Sequence, residues 1–385
     1  MQTAEVAVIG GGIVGSSIAW HLANAGCTDV LVLERESAQG KGSTGKSMGG
    51  VRAQFTTPVN IQMSLYSIPF YRDFDDSLGH PAGYRAQGYL FVASRETHVA
   101  YLHKNQELQR SLGLTEVRWI TRDDVRNIVP QLRTDDVLGA SFCPTDGFVD
   151  PYSAMNGFMQ AAKERGVMLW KNCEVQSIRH EQAGYRLGTT RGEVSARVVV
   201  NAAGAWSATV AQMLGYELPV KPMRRMLIPT EPFDGVSHSV PMVIDMTNGF
   251  HFRPEAAGFL LAWNDPDEGF SFNTDFDPDF VEKVLTRAAD RVPVFENLAV
   301  NPKRCWAGLY EMSPDHHGIL GEVDELRGFY IASGFSGHGV MHAPASGKII
   351  ADLITAGKTN IVSDAAVLNP RRFQTGNLLH ESALL

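Results

Sequence analysis

Residues 4–36, AEVAVIGGGIVGSSIAWHLANAGCTDVLVLERE, decide the fold of this chain. The run 6–9 is apolar and rich in β-branched residues, which is typical of a buried parallel strand. Apolar residues then recur at helical spacing over 13–22, and Gly26 ends the predicted helix. The run 30–33 predicts a second buried strand. The segment therefore predicts a strand–turn–helix–strand unit at the start of a parallel α/β sheet.

The turn between the first strand and the helix contains the pattern G-x-G-x-x-G at Gly10, Gly12 and Gly15. The first glycine permits the tight turn, the second lets a pyrophosphate approach the backbone, and the third lets helix and strand pack closely. The first helical residues, Ile13 and Val14, offer amide donors and the positive end of the helix dipole to the phosphates. The pattern predicts a dinucleotide site, and the alternative is a purely structural glycine turn.

The acidic residue after the second strand, Glu34, narrows the choice of dinucleotide. It lies 19 residues after Gly15, where a carboxylate can accept hydrogen bonds from both ribose hydroxyls. A carboxylate at this position would also repel the 2′-phosphate of NADP. We expect Glu34 and the adjacent Arg35 to line a site for NAD or FAD.

The segment 40–55, GKGSTGKSMGGVRAQF, favours FAD over NAD. A simple NAD-binding unit would continue with a plain crossover helix, whereas a second cluster of glycines and hydroxyls indicates that the backbone follows an extended cofactor. The alternative is a flexible surface loop. The residues expected beside phosphates or ribityl oxygens are Ser43, Thr44 and Ser47, with Gly49 and Gly50.

The segment 334–348, GFSGHGVMHAPASGK, predicts a second helix N-terminus at the same cavity. It follows FYIASG (329–334), the predicted last parallel strand, and ligands bind at the carboxyl ends of such strands. Amide donors and a helix dipole there would stabilise the negative charge that a flavin gains when it accepts a hydride. Pro344 is expected in the first turn of the helix, and the alternative is a glycine-rich cap on an ordinary helix. The residues assigned to the flavin are Gly337, His338, Gly339, Val340 and Met341.

The composition is that of an ordinary globular protein. Of 385 residues 44% are apolar and 20% charged, and a net charge of −8 without a basic stripe argues against nucleic-acid binding. The four cysteines have no metal-ligand spacing, so we expect no metal site, and they fit a reduced cytosol. The apolar N-terminal segment lacks a basic leader, and no segment is apolar for long enough to cross a bilayer. We expect a cytoplasmic protein without a transmembrane segment.

Five motifs together resemble one flavoenzyme superfamily. They are the N-terminal unit that ends VLVLERE (30–36), STGKSMGGVRAQF (43–55), NAAGAWS (201–207), WAGLYEMSPDHHGILG (306–321) and GFSGHGVMHAPASGK (334–348). In this order, over nearly the whole chain, they resemble D-amino-acid oxidase, glycine oxidase and sarcosine oxidase. The resemblance is strongest to sarcosine oxidase β subunits and related amino-acid dehydrogenase subunits.

The resemblance implies a bound FAD and a reaction. The reaction is oxidation of the C–N bond of an amino acid or N-alkyl amino acid, such as sarcosine, proline, a D-amino acid or an opine. A hydride is transferred to flavin N5, and the resulting imine hydrolyses. The electron acceptor would be oxygen, a quinone or a partner subunit, the last in a hetero-oligomer. The resemblance also implies cofactor contacts from the backbone of Val175 and from Ala203, Gly204 and Trp206.

Two other functions stay open at this point. One is a flavin-dependent 2-hydroxy-acid oxidase or dehydrogenase, and the other is an electron-relaying β-type subunit of a hetero-oligomeric dehydrogenase.

Two departures from the family pattern bear on the site. In monomeric sarcosine oxidases the position matching Gly308 is a cysteine that carries FAD covalently, and here Cys305 is three residues away, so we expect non-covalent FAD. The position matching Met341 is a lysine that helps to hold the carboxylate, so the clamp here must differ.

Candidate substrate-positioning residues come from both halves of the chain. The planar fork of Arg52 suits a substrate carboxylate, and the alternative is a contact with FAD or backbone; Gln54 could assist. His338 is either a base at the flavin edge or a hydrogen-bond donor to flavin or backbone.

The remaining candidates lie in the predicted substrate domain and its neighbouring loop. The segment 248–255, NGFHFRPE, resembles the family's substrate-domain strand, which implies that His251, with Arg253 nearby, faces the cavity; the alternative is an exposed strand pair. Tyr310 is a candidate pocket wall or hydroxyl donor. Asp315 is expected to hold its loop through local hydrogen bonds rather than to act chemically.

The patterns together predict the α/β (α+β) class, a Rossmann-like FAD-binding domain interrupted by a β-rich substrate domain with flanking helices. The FAD-binding domain would span 1–80, 146–218 and 314–360, the substrate domain 81–145 and 219–313, and a surface tail 361–385. Helices are predicted over 58–78, 97–112, 152–165, 278–291 and 345–356. Strands are predicted near 88–93, 167–181, 194–200, 223–229, 241–253, 258–263, 303–310 and 329–334.

Overall fold

Two large β-sheets organise the chain in the computed structural model, which describes residues 1–379 and 381–382. The strands are β1 (Gln2–Ile9), β2 (Val30–Leu33), β3 (Gly50–Val51), β4 (Tyr89–Ala93), β5 (Arg118–Ile120), β6 (Gly139–Cys143), β7 (Gly147–Phe148), β8 (Met168–Trp170), β9 (Val175–Glu181), β10 (Gly184–Thr189), β11 (Gly192–Asn201), β12 (Lys221–Pro229), β13 (Met242–Asp245), β14 (His251–Glu255), β15 (Gly258–Ala262), β16 (Trp306–Met312), β17 (Ile319–Glu322) and β18 (Phe329–Ser333). The α-helices are α1 (Ile13–Asn24), α2 (Pro58–Arg72), α3 (Phe74–Leu78), α4 (Glu96–Ser111), α5 (Arg122–Ile128), α6 (Pro151–Lys163), α7 (Ser207–Gln212), α8 (Asp279–Arg291), α9 (Gly339–Ala356) and α10 (Arg372–Thr375).

The first sheet has the strand order β17-β18-β11-β1-β2-β8, with β10 and β9 added beside β11. The run from β8 to β18 is parallel, as buried β-branched strands predict, and β17 is antiparallel to β18. Helices α1 and α9 pack closely: a Cβ on Gly347 would overlap the hydroxyl of Ser17, and that hydroxyl donates to the carbonyl of Ala343 at 2.8 Å. This packing places the N-termini of both helices at the carboxyl ends of the parallel strands.

The second sheet has the order β16-β12-β15-β14-β13-β4-β6-β5 and is antiparallel except between β13 and β4. Successive side chains along each strand point to opposite faces of the sheet, so the two faces have different surroundings. One face packs into a hydrophobic core beneath α8 and contributes Met226, Phe252, Leu261 and Ala307. The opposite face turns toward the first sheet and carries Arg225, Leu227, His251, Ala262 and Tyr310.

The predicted α/β class is confirmed, because the chain has the same fold as solved members of this class, which are described with the site below. Strands of the first sheet come from 2–33, 168–201 and 319–333, and strands of the second from 89–143, 221–262 and 306–312. The division into domains stays a prediction.

Three predicted elements are interrupted in the structure. The helix over 58–78 is two helices, since α2 ends at Arg72 and α3 begins at Phe74. The strand over 167–181 is two strands separated by a turn, in which Asn172 has a φ of 51°. The strand over 241–253 is a hairpin whose turn contains Gly249 with a φ of 76°. Local apolar patterning continues through each break because the flanking residues are still buried.

The expectation that Pro344 lies in the first turn of its helix is wrong. Helix α9 begins at Gly339, so Pro344 is its sixth residue and removes the hydrogen bond to the carbonyl of Val340. The hydroxyl of Tyr71 donates to that carbonyl at 2.6 Å and replaces the lost bond. The next amide, of Ala345, donates to the hydroxyl of Ser67 at 3.2 Å.

The expectation of a surface tail over 361–385 is also wrong for several of its residues. Leu368 and Arg372 are buried, and the guanidinium of Arg372 donates to both oxygens of Asp315 at 2.8 and 3.0 Å. The carboxylate of Glu381 is buried at the start of α2, where it accepts hydrogen bonds from the amide of Thr56 and the side chain of Asn60. Asp315 therefore has the structural role that was predicted, but with a partner from the tail; residues 380 and 383–385 lie outside the described part of the chain.

Candidate active site

A cleft of about 1710 Å³, including its open mouth, lies between the carboxyl ends of the parallel strands of the first sheet and the face of the second sheet that carries His251 and Tyr310. Its floor includes Ile9 at the end of β1, Leu33 at the end of β2 and Ala332 on β18. Most of the residues predicted to bind the cofactor line it, namely Gly10, Gly12, Ile13, Val14, Glu34, Arg35, Ser43, Thr44, Ser47, Val175, Ala203, Gly204, Trp206, Gly337, Gly339 and Val340.

The glycine turn at the start of α1 brings backbone atoms so close together that side chains would not fit. Gly10 has a φ of 105°, and a Cβ on Gly15 would overlap the carbonyl oxygen of Gly10. Gly15 therefore does not line the cleft but lets the helix approach the strand, as its position in the motif predicts. The N-cap residue, Gly12, has no side chain to accept from the first amides, and the first turn has no acidic residue. The amide donors at this N-terminus suit a pyrophosphate.

The carboxylate of Glu34 is oriented by backbone amides at the end of β2. One oxygen accepts from the amide of Gly11 at 3.0 Å, and the other accepts from the amide of Glu36 at 2.9 Å. Burial is the largest influence on Glu34 and raises the pKa of its carboxyl above the ordinary value. Fixed amides leave the remaining lone pairs of Glu34 directed at the cleft, where they suit the hydroxyls of a ribose.

The loop after β2 is tied to both sides of the cleft by its hydroxyls. Ser43 donates to the carbonyl of Leu309 on β16 at 2.6 Å, and Thr44 accepts from the amide of Ile13 at 3.1 Å. The guanidinium of Arg35 stacks on the ring of Trp206 at 3.7 Å, which forms a flat surface on the cleft wall. Hydroxyl, amide and carboxylate donors and acceptors of this kind fit the phosphates, ribose and ring of FAD.

Gly49 and Gly50, two predicted cofactor residues, serve the packing of the chain rather than the lining of the cleft. A Cβ on Gly49 would overlap the carbonyl of Val149, and one on Gly50 would overlap the hydroxyl of Tyr89. Met341 is likewise buried in the hydrophobic core between the helices. Direct contacts of these three residues with a cofactor stay predictions.

Arg52 and His338 also lie beside the cleft rather than in its lining. Arg52 is only 1% exposed; its Nη1 donates to the carbonyl of Gln54 at 2.7 Å, and its Nη2 is 3.4 Å from Nε2 of His338. The guanidinium also lies over the ring of Phe55 at 4.1 Å. Burial, and then the charge of Arg52, hold the pKa of His338 well below its usual range, so the imidazole is neutral.

The glycine before His338 is also required by packing. Gly337 has a φ of 98°, and a Cβ there would overlap the ring of Tyr310. Gly337 therefore lets this tyrosine pack against the start of α9, and its contact with the flavin stays a prediction.

The second sheet contributes polar side chains to the cleft, and we call His251, Tyr310 and Arg225 the polar wall. Nδ1 of His251 is 3.0 Å from the carbonyl of Gly249, and burial lowers the pKa of His251 to about 4, so the imidazole is neutral at physiological pH. Burial raises the pKa of Tyr310, so its hydroxyl is protonated. Two of the three were predicted; Arg225 was overlooked, although its place between apolar residues of an alternating strand is a signal that could have found it.

A half-buried carboxyl group, Glu311 near the end of β16, lines the cleft beside the start of α9 and was also overlooked. Its Oε2 accepts from the hydroxyl of Ser333 at 2.8 Å, and Ser333 in turn accepts from Ser207 at 2.5 Å. Burial, the largest influence, raises the pKa of Glu311 to about 7, partly offset by hydrogen bonds from Ser333 and from two backbone amides.

Replacement of Glu311 by Gln is expected to raise the reduction potential of the bound flavin at pH 8 and to leave it almost unchanged at pH 6. With a pKa of about 7 the carboxyl is neutral at pH 6 and ionised at pH 8, and only the ionised form opposes the negative charge of a reduced flavin. Anaerobic dye-coupled titration of the wild type and E311Q at both pH values measures the effect. Equal potentials at pH 8 would show that Glu311 does not act on the flavin charge.

The described residues also bear on metal binding and on membrane insertion. Within residues 1–379 and 381–382, no three His, Cys, Asp or Glu side chains are grouped so that they could hold a metal ion. No helix in that same part of the chain has the length and apolar character needed to span a membrane. The predictions of no metal and of a cytoplasmic location stay predictions.

The two helix N-termini at the cleft and the carboxylate of Glu34 held by backbone amides fit a flavin-dependent oxidoreductase. Residues 5–353 match the family described as FAD dependent oxidoreductase, and the chain belongs to this family. FAD as cofactor and the enzyme class were predicted from the sequence and are confirmed. The individual contacts of residues with FAD stay predictions.

Three similar proteins illustrate the family. The FAD-dependent oxidoreductase domain-containing protein 1 of Xenopus laevis is 32% identical, over 92% of this chain and 80% of that protein. The crystal structure of L-proline dehydrogenase from P. horikoshii superposes with a TM-score of 0.91 at 32% identity, over 98% of this chain and 99% of that one. The mitochondrial sarcosine dehydrogenase of Mus musculus is 28% identical, over 93% of this chain and 40% of that protein.

Proposed function

We propose that this enzyme oxidises the C–N bond of an amino acid or N-alkyl amino acid. The observation that carries the proposal is the continuity of the cleft, which runs from the cofactor-binding turn at Gly12 to the polar wall at His251 and Tyr310. The relatives support it, since the names of two of them specify proline and sarcosine, both amino acids with a substituted nitrogen. FAD supplies the hydride acceptor when it is bound.

The chain itself positions the substrate and keeps it in the reactive form. Hydride transfer from the carbon next to nitrogen requires the neutral amine, whose lone pair assists departure of the hydride. A neutral His251 and a protonated Tyr310 offer hydrogen bonds without placing a negative charge beside the amine. Orientation against the polar wall can then supply much of the rate enhancement without a protein base. The imine that results takes up water and releases the carbonyl product and the amine.

Anaerobic reduction of the flavin tests this proposal directly. Purified yellow protein is mixed without oxygen with sarcosine, proline, glycine, D-amino acids, opines and 2-hydroxy acids. Bleaching by one class of amine is expected, and readmission of air or a quinone then identifies the acceptor. Bleaching by 2-hydroxy acids alone would contradict the proposal and support a 2-hydroxy-acid dehydrogenase. A flavin that no compound bleaches, in protein that copurifies with other chains, would support an electron-relaying subunit instead.

The pH dependence of flavin reduction should report the substrate amine and not His251. Because burial lowers the pKa of His251 to about 4, the imidazole stays uncharged throughout the range from about pH 5 upward. The rate at low substrate concentration should therefore rise toward the pKa of the amine without an inflection near the ordinary imidazole value of 6.5. Stopped-flow reduction of the wild type and H251N measures both profiles. An inflection near that value that disappears in H251N would contradict the neutral imidazole.

A further inference from the structure

Arg225 places a positive charge in the polar wall. It lies on β12, paired with Gly308 of β16, and its side chain is half-buried in the lining of the cleft. Its guanidinium carbon is 5.3 Å from the centre of the Tyr310 ring. Tyr310 and Arg225 line the cleft together with His251.

The charge of Arg225 has no acidic partner in the described part of the chain. Among the described residues no carboxylate lies within 4.0 Å of its guanidinium, and its buried Nε has no hydrogen-bond partner. The one hydrogen bond of its side chain in that part of the chain runs from Nη1 to the carbonyl of Arg224 at 3.1 Å. The two acidic residues that influence it electrostatically are occupied elsewhere, Glu268 by Arg224 at 2.9 Å and Asp265 by Lys283 at 2.8 Å.

A partly buried guanidinium without a partner is unfavourable unless a ligand supplies the counter-charge. Burial indeed lowers the pKa of Arg225, which remains a cation. The planar fork of its donors matches a carboxylate, which can accept two parallel hydrogen bonds. The neighbouring imidazole of His251 is neutral, so Arg225 is the charged member of the polar wall.

Arg52, the residue predicted for this role, is placed differently. Its guanidinium is almost fully buried outside the cleft lining, donates to the carbonyl of Gln54 and lies over the ring of Phe55. Met341, which stands where related oxidases have a lysine, is in the hydrophobic core. Neither residue presents a charge to the cleft.

We infer that Arg225, and not Arg52, holds the carboxylate of the substrate, so that the substrate is an amino acid or N-alkyl amino acid with a free carboxylate rather than a simple amine. This inference rests on the proposed function for the amine part of the substrate. The carboxylate is bound by the forked guanidinium of Arg225, and the C–N bond then lies along the polar wall toward the cofactor cleft. The donors at the N-terminus of α1 are on a different wall and remain available for the pyrophosphate.

Carboxylate binding to the oxidised holoenzyme tests the inference without turnover. Pyrrole-2-carboxylate, which cannot be oxidised as an amine of this type, is titrated into the FAD-loaded protein while the visible flavin spectrum is recorded. Pyrrole-2-carboxamide serves as the uncharged probe. In R225M the dissociation constant of the carboxylate should rise about 100-fold, while that of the carboxamide changes little. R225K should recover part of the affinity, since it keeps the charge but loses the fork.

The neighbouring Arg224 provides the matched control. It lies on the same strand but is paired with Glu268, so R224M should bind the carboxylate like the wild type. Three results would overturn the inference: a wild-type flavin that does not respond to the carboxylate, equal carboxylate affinity in R225M, or R225M isolated without FAD, which would assign Arg225 to the cofactor. Failure of the proposed function is a separate result, namely no flavin reduction by any amino acid in the wild type.

Discussion

Gly15→Ala is expected to give protein that no longer retains FAD. A Cβ at this position would overlap the carbonyl oxygen of Gly10, which is backbone and cannot rotate away as a side chain could. Helix α1 must then move from β1, and the amides at its N-terminus leave the place where they bind the pyrophosphate. Overpacking of this kind costs about 1–3 kcal/mol or more. A loss of about 3 kcal/mol at the cofactor site corresponds to a 100-fold weaker affinity or worse.

The ratio of visible to ultraviolet absorbance of purified G15A measures the retained flavin, and far-ultraviolet circular dichroism shows whether the fold persists. Gly269→Ala is the control, because a Cβ there meets no atom within 4 Å and Gly269 has no left-handed backbone. G269A should therefore keep its full complement of FAD. Stoichiometric flavin in G15A would contradict the role of Gly15 as the contact between helix and strand.

Arg291→Met is expected to lower the free energy of unfolding by about 3–5 kcal/mol. Arg291 and Asp245 are each 1% exposed, and Nε of Arg291 donates to Asp245 at 2.8 Å. The same guanidinium donates to Asp136 from the loop before β6. Removal of Arg291 leaves the carboxylate of Asp245 buried without its partner, and α8 loses its polar link to β13.

Urea unfolding of the FAD-loaded variants measures this loss. The double variant R291M/D245N should recover much of it, since neither charge then remains buried alone. Arg186→Met removes an exposed pair with Glu181 and should cost about 1 kcal/mol or less. If R291M loses as little stability as Arg186→Met, the ion pair between Arg291 and Asp245 does not stabilise the second sheet.

The parts of the site that could be predicted depend on local sequence patterns. The spacing of Gly10, Gly12 and Gly15 and the acidic residue at position 34 are set by the turn and the next strand, so the pyrophosphate and ribose positions follow from neighbouring residues. His251 and Tyr310 were predicted from segments that resemble the family, and both line the cleft.

The parts that could not be predicted depend on pairs distant in sequence. Arg52 and Arg225 have equal chemical capacity for a carboxylate, and only the packing of Arg52 beside Phe55 and His338 distinguishes them. Helix α9 begins at Gly339, six residues before the predicted start at 345, and its tolerance of an internal proline depends on the hydroxyl of Tyr71 on α2.

The sequence by itself determined the family, the cofactor and the α/β class, because glycine spacing and strand patterning are local requirements of a dinucleotide-binding turn. The tertiary structure alone decided which charges are compensated. Glu268 neutralises Arg224 and, within residues 1–379 and 381–382, leaves Arg225 without an acidic partner, and Arg372 from the tail neutralises Asp315. Ion pairing depends on distances of a few ångström between residues tens to hundreds of positions apart, which no local pattern encodes.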